Sequence, residues 1–323
     1  MVIFEETETF SALERGCVAT IGKFDGVHLG HQVILQQLKE KATRFKLPAV
    51  VILIEPHPEE FFADRLIESP ARLSTFEEKI SLLETLGIGY VYKMRFDHEL
   101  SQLRPENYIT NILVGGLGIH DFIVGKDFRF GHRREGDFNL LKEYGSRYHF
   151  EVSEAKTYEH DGRRVSSTYV REVIAGSDFE KAEKLLGRKF SMKGAVLHGK
   201  KLGAQLGFPT CNVDPRRQNL PLKGVFAAEV RIKEAVHSSV VNIGHRPTID
   251  SDSQALLEAH ILNFDRQIYG EEIEITFLQK VRDEQKFDGL EALKLQINSD
   301  VEKTRLFFSN DHAAKSAVEI NIY

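Results

Sequence analysis

At 323 residues the chain is too long for one ordinary core, and two domains are expected. With 41% hydrophobic and 28% charged residues it has the balance of a globular protein, not of a disordered or fibrous one. A net charge of −5 argues against electrostatically driven nucleic-acid binding, and no uncharged apolar run approaches the roughly 20 residues that span a bilayer. Neither nucleic acid nor membrane is therefore expected as a partner. The early residues Glu5, Glu6 and Glu8 do not fit a secretory signal. Cys17 and Cys211 are too few for a disulfide framework, and no Cys/His cluster has zinc spacing. A reducing cytoplasm is the expected setting. The basic pairs Arg133-Arg134, Arg163-Arg164 and Arg216-Arg217 read as solvated surface.

In chain order, Val18 to Gly22 reads as a short buried strand and His31 to Phe45 as a helix. Leu35, Leu38, Ala42 and Phe45 form that helix's apolar stripe. Residues Ala49 to Ile54 are apolar on both faces, as a central parallel strand requires. Ser74 with Glu77 reads as a capping box opening a helix that Gly87 ends. Tyr90 to Phe96 is the next strand, Pro105 opens a helix, and Phe122 to Val124 is a strand again. Strand, helix and strand in succession over residues 1–185 predict an α/β domain with an open, doubly wound parallel sheet. Such sheets bind ligands at the carboxyl ends of their strands.

After Gly187 the period changes. Lys193 to His198, Val225 to Ile232, Ser239 to Ile243, Leu256 to Leu262 and Glu272 to Leu278 read as strands separated by turns. A helix follows from Leu290 to about Phe308, with Leu290, Leu293, Ile297 and Val301 on one side. Residues 186–310 are thus expected to form a small antiparallel β-barrel with a C-terminal helix, and residues 311–323 a frayed tail.

Two constellations carry chemistry. The first is Gly22-Lys-Phe-Asp-Gly-Val-His-Leu-Gly-His31, which joins a strand to a helix where phosphates sit against a helix N-terminus. His28 and His31 there can donate to a phosphate whose charge grows in the transition state, and Gly30 leaves room for its approach. Ser166-Ser167-Thr168 with Arg171 adds hydroxyls and a cation at a later helix start. The second is the string Gly194, Gly199, Gly203 and Gly207 leading into Phe208-Pro-Thr-Cys-Asn212. Its glycines let the backbone fold round phosphates, and Thr210 and Asn212 offer oxygens suited to Mg²⁺ and a nucleotide.

The histidine turn with the late S-S-T-x-x-R segment resembles the nucleotidyltransferase superfamily. Pro56-His57-Pro58 and Val124-Gly-Lys-Asp-Phe-Arg-Phe-Gly131 narrow the likeness to FMN adenylyltransferases. The string G-x-V-x-x-G…L-G-F-P-T-x-N resembles the riboflavin kinase module. That likeness continues through Gly224-Val-Phe226, Asn242-Ile-Gly-His-Arg-Pro-Thr248, Leu257-Glu-Ala-His260, Tyr269-Gly270 and Arg282-Asp-Glu-Gln-Lys-Phe287. In this order, from about Val18 to Thr304, the two resemble the bacterial bifunctional riboflavin kinase/FMN adenylyltransferases, also called FAD synthetases.

The resemblance implies a Rossmann-like nucleotidyltransferase domain, a riboflavin kinase barrel, and two reactions. ATP phosphorylates riboflavin to FMN, and a second ATP adenylylates FMN to FAD with release of pyrophosphate. It further implies Glu258 as the kinase general base, with Arg282 near flavin and phosphates. His28 and His31 would act on the α-phosphate. ATP would be held by Gly22, Phe24, Asp25, Gly30, Ser167, Thr168 and Arg171 in one domain and by Gly199, Gly207, Thr210 and Asn212 in the other, with Mg²⁺ on Thr210 and Asn212. Pro56, His57, Pro58, Asp127 and Phe128 would shape one flavin pocket, and Arg282 and Phe287 the other. A monomer or weak homo-oligomer is expected. Glu55 stands where Asp is common before P-H-P, Cys211 where Ala is usual, and Asn263 and Gln267 where Asp is usual. Two other readings are open at this point. A different nucleotidyltransferase leaves the G-F-P-T-C-N domain unexplained; a non-catalytic flavin binder is opposed by intact His28, His31, Thr210, Asn212 and Glu258.

Overall fold

The computed structural model describes residues 1–5, 13, 15–63, 69–199, 202–217, 219–245 and 255–320. Two compact units emerge: Met1–Pro70 with Ser74–Ser167, and Ala71–Leu73 with Thr168–Tyr323. Arg246, Pro247 and Thr248 of the kinase-like motif lie outside the described residues.

The first unit is built on strands β1 (Val2–Glu5), β2 (Cys17–Gly22), β3 (Ala49–Glu55), β4 (Tyr90–Arg95), β5 (Ile119–Val124) and β6 (Glu151–Glu154). Helices α1 (Leu29–Phe45), α2 (Pro58–Phe62) and α3 (Phe76–Thr85) connect them, with α4 (Phe138–Tyr148) further on. The strand order is β1-β4-β3-β2-β5-β6, every pair parallel. Alternate residues serve opposite faces: Val18, Val51, Leu53 and Val91 pack against Leu35, Leu38 and Leu83. Ala19, Val50, Ile52 and Met94 pack with Ile109, Leu113 and Phe122. The doubly wound sheet read from the periodicity is therefore present. Chain order reverses at β2 and β5, which makes the carboxyl end of β2 the topological switch point of the sheet.

Several local expectations shift. β1 was not foreseen; it adds a sheet edge through four residues paired with Tyr90–Lys93. The capping box lies one residue on: Thr75 Oγ1 accepts the Glu78 N–H at 3.2 Å, and Glu78 Oε2 accepts the Thr75 N–H at 2.7 Å. Ser74 is drawn off by Asp25, to which it donates twice. The helix opened by Pro105 is α-helical only to Asn107, and Tyr108–Gly116 continues with π-type bonding.

The second unit begins with helices α5 (Ser167–Ala175, from its second residue) and α6 (Phe179–Leu186). Phe179 of α6 meets the barrel rings Phe226 and Phe277 at 5.9 and 6.2 Å. Strands β7 (Ser191–Leu197), β8 (Cys211–Asp214), β9 (Gly224–Ile232), β10 (Ala235–His245), β11 (Ala255–Ile261) and β12 (Glu272–Arg282) close a barrel in the order β8-β11-β10-β9-β12-β7. All its neighbouring strands are antiparallel. Helix α7 (Leu290–Ile320) follows; Val301 and Ile297 pack with Val225, Val240 and Leu262. The helix runs past Asp311, where a frayed tail was expected, and Leu290 is exposed instead of joining the buried stripe. β8 is not among the expected strands, because its four residues Cys-Asn-Val-Asp carry too short an alternation to mark one. Arg217 is also not solvated surface: it is buried, and its guanidinium donates to the carbonyls of Pro215 and Leu73 at 3.2 and 3.0 Å.

Candidate active site

At the end of β2 the backbone turns through Phe24, Gly26 and Val27, all at positive φ, and delivers His28 as the cap of α1. His28 Nδ1 accepts the His31 backbone N–H at 3.3 Å, so the proton of a neutral His28 sits on Nε2 and that N–H is the donor. The two imidazoles stack at 3.7 Å between centroids, with Phe24 against His31 at 4.8 Å. Burial first, then neighbouring His28, Lys79 and Lys23, hold His31 well below its ordinary pKa; the ring is neutral near pH 7. Its Nδ1 is buried without a hydrogen-bond partner among the described residues. Gly30 is obligatory for a reason beyond phosphate access: a Cβ there would stand 2.8 Å from the Val165 carbonyl and 3.0 Å from His28 Nδ1.

The other residues expected at this end divide into scaffold and surface. Gly22 ends β2, and Phe24 and Asp25 are buried. Asp25 Oδ1 accepts the Ser74 backbone N–H at 3.0 Å and its hydroxyl at 3.3 Å, while Ser167 Oγ donates to the Asp25 carbonyl at 2.9 Å. The S-S-T-Y-V-R segment straddles the two units; within the second, Arg171 Nε donates to the Ala71 carbonyl at 2.7 Å. Pro56 is exposed, Pro58 opens α2, and His57 is buried against Lys79. Asp127 is exposed and paired with Arg164 at 3.4 Å, while Phe128 is half-buried and stacked on Phe130 at 5.5 Å.

In the barrel, a cavity of about 420 Å³ gathers Thr210, Asn212, Glu258, Arg282 and Phe287 with Asn242, His260 and Asp300. Register explains the grouping. Glu258 pairs with Asn212 on one side and with Asn242 on the other, so three polar side chains share one face of adjacent strands. Asn212 Oδ1 is buried with no hydrogen-bond partner among the described residues. Gly199 is held to glycine by that same amide, since a Cβ would lie 1.7 Å from Asn212 Nδ2. Gly207 supports the turn before Phe208 at a φ of 91°. Arg282 lies over the Phe287 ring at 5.6 Å. A second cavity of about 190 Å³ shares Thr210 and is lined by Cys211, Gln267 and Tyr269. Two of the departures from the family's pattern thus face one space. Burial pushes the Cys211 thiol up to about 11, so it is protonated at neutral pH.

Sequence reasoning gives no role to Asn242, although it opens a quoted motif, and it misses Lys79 and Asp300. Helical spacing carries the signal for both: Lys79 lies four residues before buried Leu83, and Asp300 adjoins Val301 in the buried stripe of α7. A charged residue on an apolar stripe asks for a partner.

A parallel sheet with a histidine turn at its switch point, followed by a barrel with an oxygen-lined cavity, defines a two-domain nucleotide-using transferase. Residues 10–169 match the FAD synthetase family and residues 186–308 the riboflavin kinase family. The chain is 46% identical over 291 residues to a protein of Pseudomonas fluorescens, covering 90% of this chain and 93% of that one. It is 44% identical over 298 residues to one of Escherichia coli K12, covering 92% and 94%, and 41% identical over 297 residues to one of Haemophilus influenzae, covering 92% and 96%. Each is named a bifunctional riboflavin kinase/FMN adenylyltransferase. The chain belongs to this family of flavin-cofactor-synthesising enzymes, as the motif resemblance implied. A crystal structure described as a macrolide-efflux protein from Streptococcus pneumoniae superposes with a TM-score of 0.77 at 25% identity, covering 94% of this chain and 99% of that one. Among the described residues no helix is long and apolar enough to cross a membrane.

Proposed function

We propose that the family's two reactions, riboflavin phosphorylation to FMN and FMN adenylylation to FAD, run on the two constellations described above. The observation that carries the kinase assignment is the row Asn242, Glu258 and Asn212 beside Thr210 in one cavity. Glu258 accepts the proton of the ribityl 5′-hydroxyl as that oxygen attacks the γ-phosphorus of ATP, and ADP leaves. Thr210 and Asn212 suit a Mg²⁺ that arrives with ATP, because their oxygens are hard and neutral and Asn212 Oδ1 lacks a hydrogen-bond partner among the described residues. Mg²⁺ there would offset phosphate charge. Arg282 and Phe287 border the flavin, and Gly199 and Gly207 shape the nucleotide loop.

In the first domain the FMN phosphate attacks the α-phosphorus of ATP directly, and pyrophosphate leaves. His28, through its Nε2–H, and neutral His31 donate to the oxygens on which charge accumulates. Gly22, Phe24, Asp25 and Gly30 hold the turn that carries them. Ser167, Thr168 and Arg171, taken over from the family's motif, hold the pyrophosphate. Pro56, His57, Pro58, Asp127 and Phe128 shape the FMN site. Functional boundaries of 1–185, 186–310 and 311–323 go with this reading. So does a monomer or weak homo-oligomer in a reducing cytoplasm, which two free thiols suit.

Incubation with riboflavin, ATP and Mg²⁺, followed by separation of the flavins, tests the proposal. FMN and FAD should both appear. Unchanged riboflavin would instead favour a flavin-binding protein without turnover.

A further inference from the structure

Lys79 on α3 is fully buried, yet an ammonium resists removal from water unless its protons are met. Here they are met by three acceptors. Lys79 Nζ donates to the Lys23 carbonyl at 3.3 Å, to Glu55 Oε2 at 3.1 Å and to His57 Nε2 at 3.3 Å. Lys23 belongs to the turn after β2 that leads to His28. Glu55 ends β3, and His57 caps α2. One cation therefore binds two turns that follow neighbouring parallel strands. From the solvent side the histidine turn is tied to the first turn of α2, by Lys23 Nζ to Glu59 Oε1 at 2.5 Å.

We propose that Lys79 is a positioning residue for adenylyl transfer, pinning the histidine turn to the P-H-P turn so that His28, His31 and His57 hold one geometry. The inference rests on reading the first domain as the adenylyltransferase. The Lys79 charge also contributes to keeping His31 neutral. Glu55, longer by one methylene than the family's usual Asp, is the carboxylate that meets it.

The test compares Lys79→Met with the double variant Glu55→Gln/Lys79→Met, which removes the carboxylate that the single change strands. In each, kcat and KM for FAD formation from FMN are measured beside riboflavin phosphorylation and Tm. Both variants should lose on the order of 10²-fold in kcat for FAD formation, the penalty of misplaced catalytic groups, with smaller changes in KM. Riboflavin phosphorylation should continue, and the double variant should regain Tm without regaining FAD synthesis. Parent-level FAD synthesis in either variant overturns the proposal, because a merely structural lysine would be replaced once stability returned. The unmodified enzyme and His28→Ala run alongside. If the parent makes no FAD, or His28→Ala makes it normally, the domain reading itself fails and takes this inference with it.

Discussion

Arg282 at the end of β12 and Asp300 on α7 form a two-pronged ion pair: Nε and Nη2 each approach Asp300 Oδ2 at 2.9 Å. Asp300 is only 2% exposed, and Gln296 Nε2 steadies its other oxygen at 2.8 Å. The pair fixes the guanidinium at the wall of the barrel cavity, over Phe287. Removing one partner of a buried pair typically costs about 3–5 kcal/mol, less where one partner is partly exposed, as Arg282 is. Asp300→Asn should lower Tm and raise the KM for riboflavin, on the order of tenfold, a loss of about 1.4 kcal/mol. FAD formation from added FMN should persist. An unchanged KM would mean that Arg282 does not face the flavin.

His28→Ala removes the cap of α1 and the Nε2–H donor together. Loss of one preorganised donor costs about 10²–10³ in rate. FAD formation should collapse while FMN still accumulates from riboflavin, as chromatography of the flavins will show. Near-normal FAD synthesis would remove His28 from the mechanism.

Glu258→Gln keeps size and hydrogen bonding but cannot take a proton. Kinase turnover should fall while riboflavin and ATP still bind, and added FMN should still become FAD. If riboflavin is phosphorylated at the parent rate, the base lies elsewhere. Joint loss of both activities would show that the domains are coupled.

Gly199→Ala places a methyl against the Asn212 amide. The amide must move, and with it the oxygen assigned to Mg²⁺-ATP. Kinase activity should drop by at least on the order of tenfold with a raised KM for ATP, because small displacements at a reacting centre are expensive. Steady-state kinetics at varied ATP decides it.

His31 gives a pH signature. Its ordinary pKa is 6.5, and the folded chain holds it well below that value. As pH falls below 6.5, the unfolded chain takes up a proton that the folded chain refuses, so this residue erodes stability with acidification. The slope is at most about 1.4 kcal/mol per pH unit. Between pH 7 and 5 the Tm of the parent should drop more than that of His31→Asn. Parallel curves would show that burial does not shift this ring.

What could be read without coordinates was local or repeated. The alternation of periods marked out a parallel sheet and then a barrel, because each reports which faces of a helix or strand must avoid water. The histidine turn was legible because a strand, a short turn and a helix stand together in the chain. The string through Phe208-Pro-Thr-Cys-Asn212 is legible as a motif, though not as the strand it enters at Cys211: that strand has only four residues, and its Asn212 faces a cavity no local window displays. Strand pairing, by contrast, set Glu258 beside both Asn212 and Asn242, and only helix docking brought Asp300 to Arg282 and Lys79 to Glu55 and His57. Those partners lie far apart or on different elements, and removing such charges from water is tolerated only where the fold supplies charged or hydrogen-bonding partners in its place.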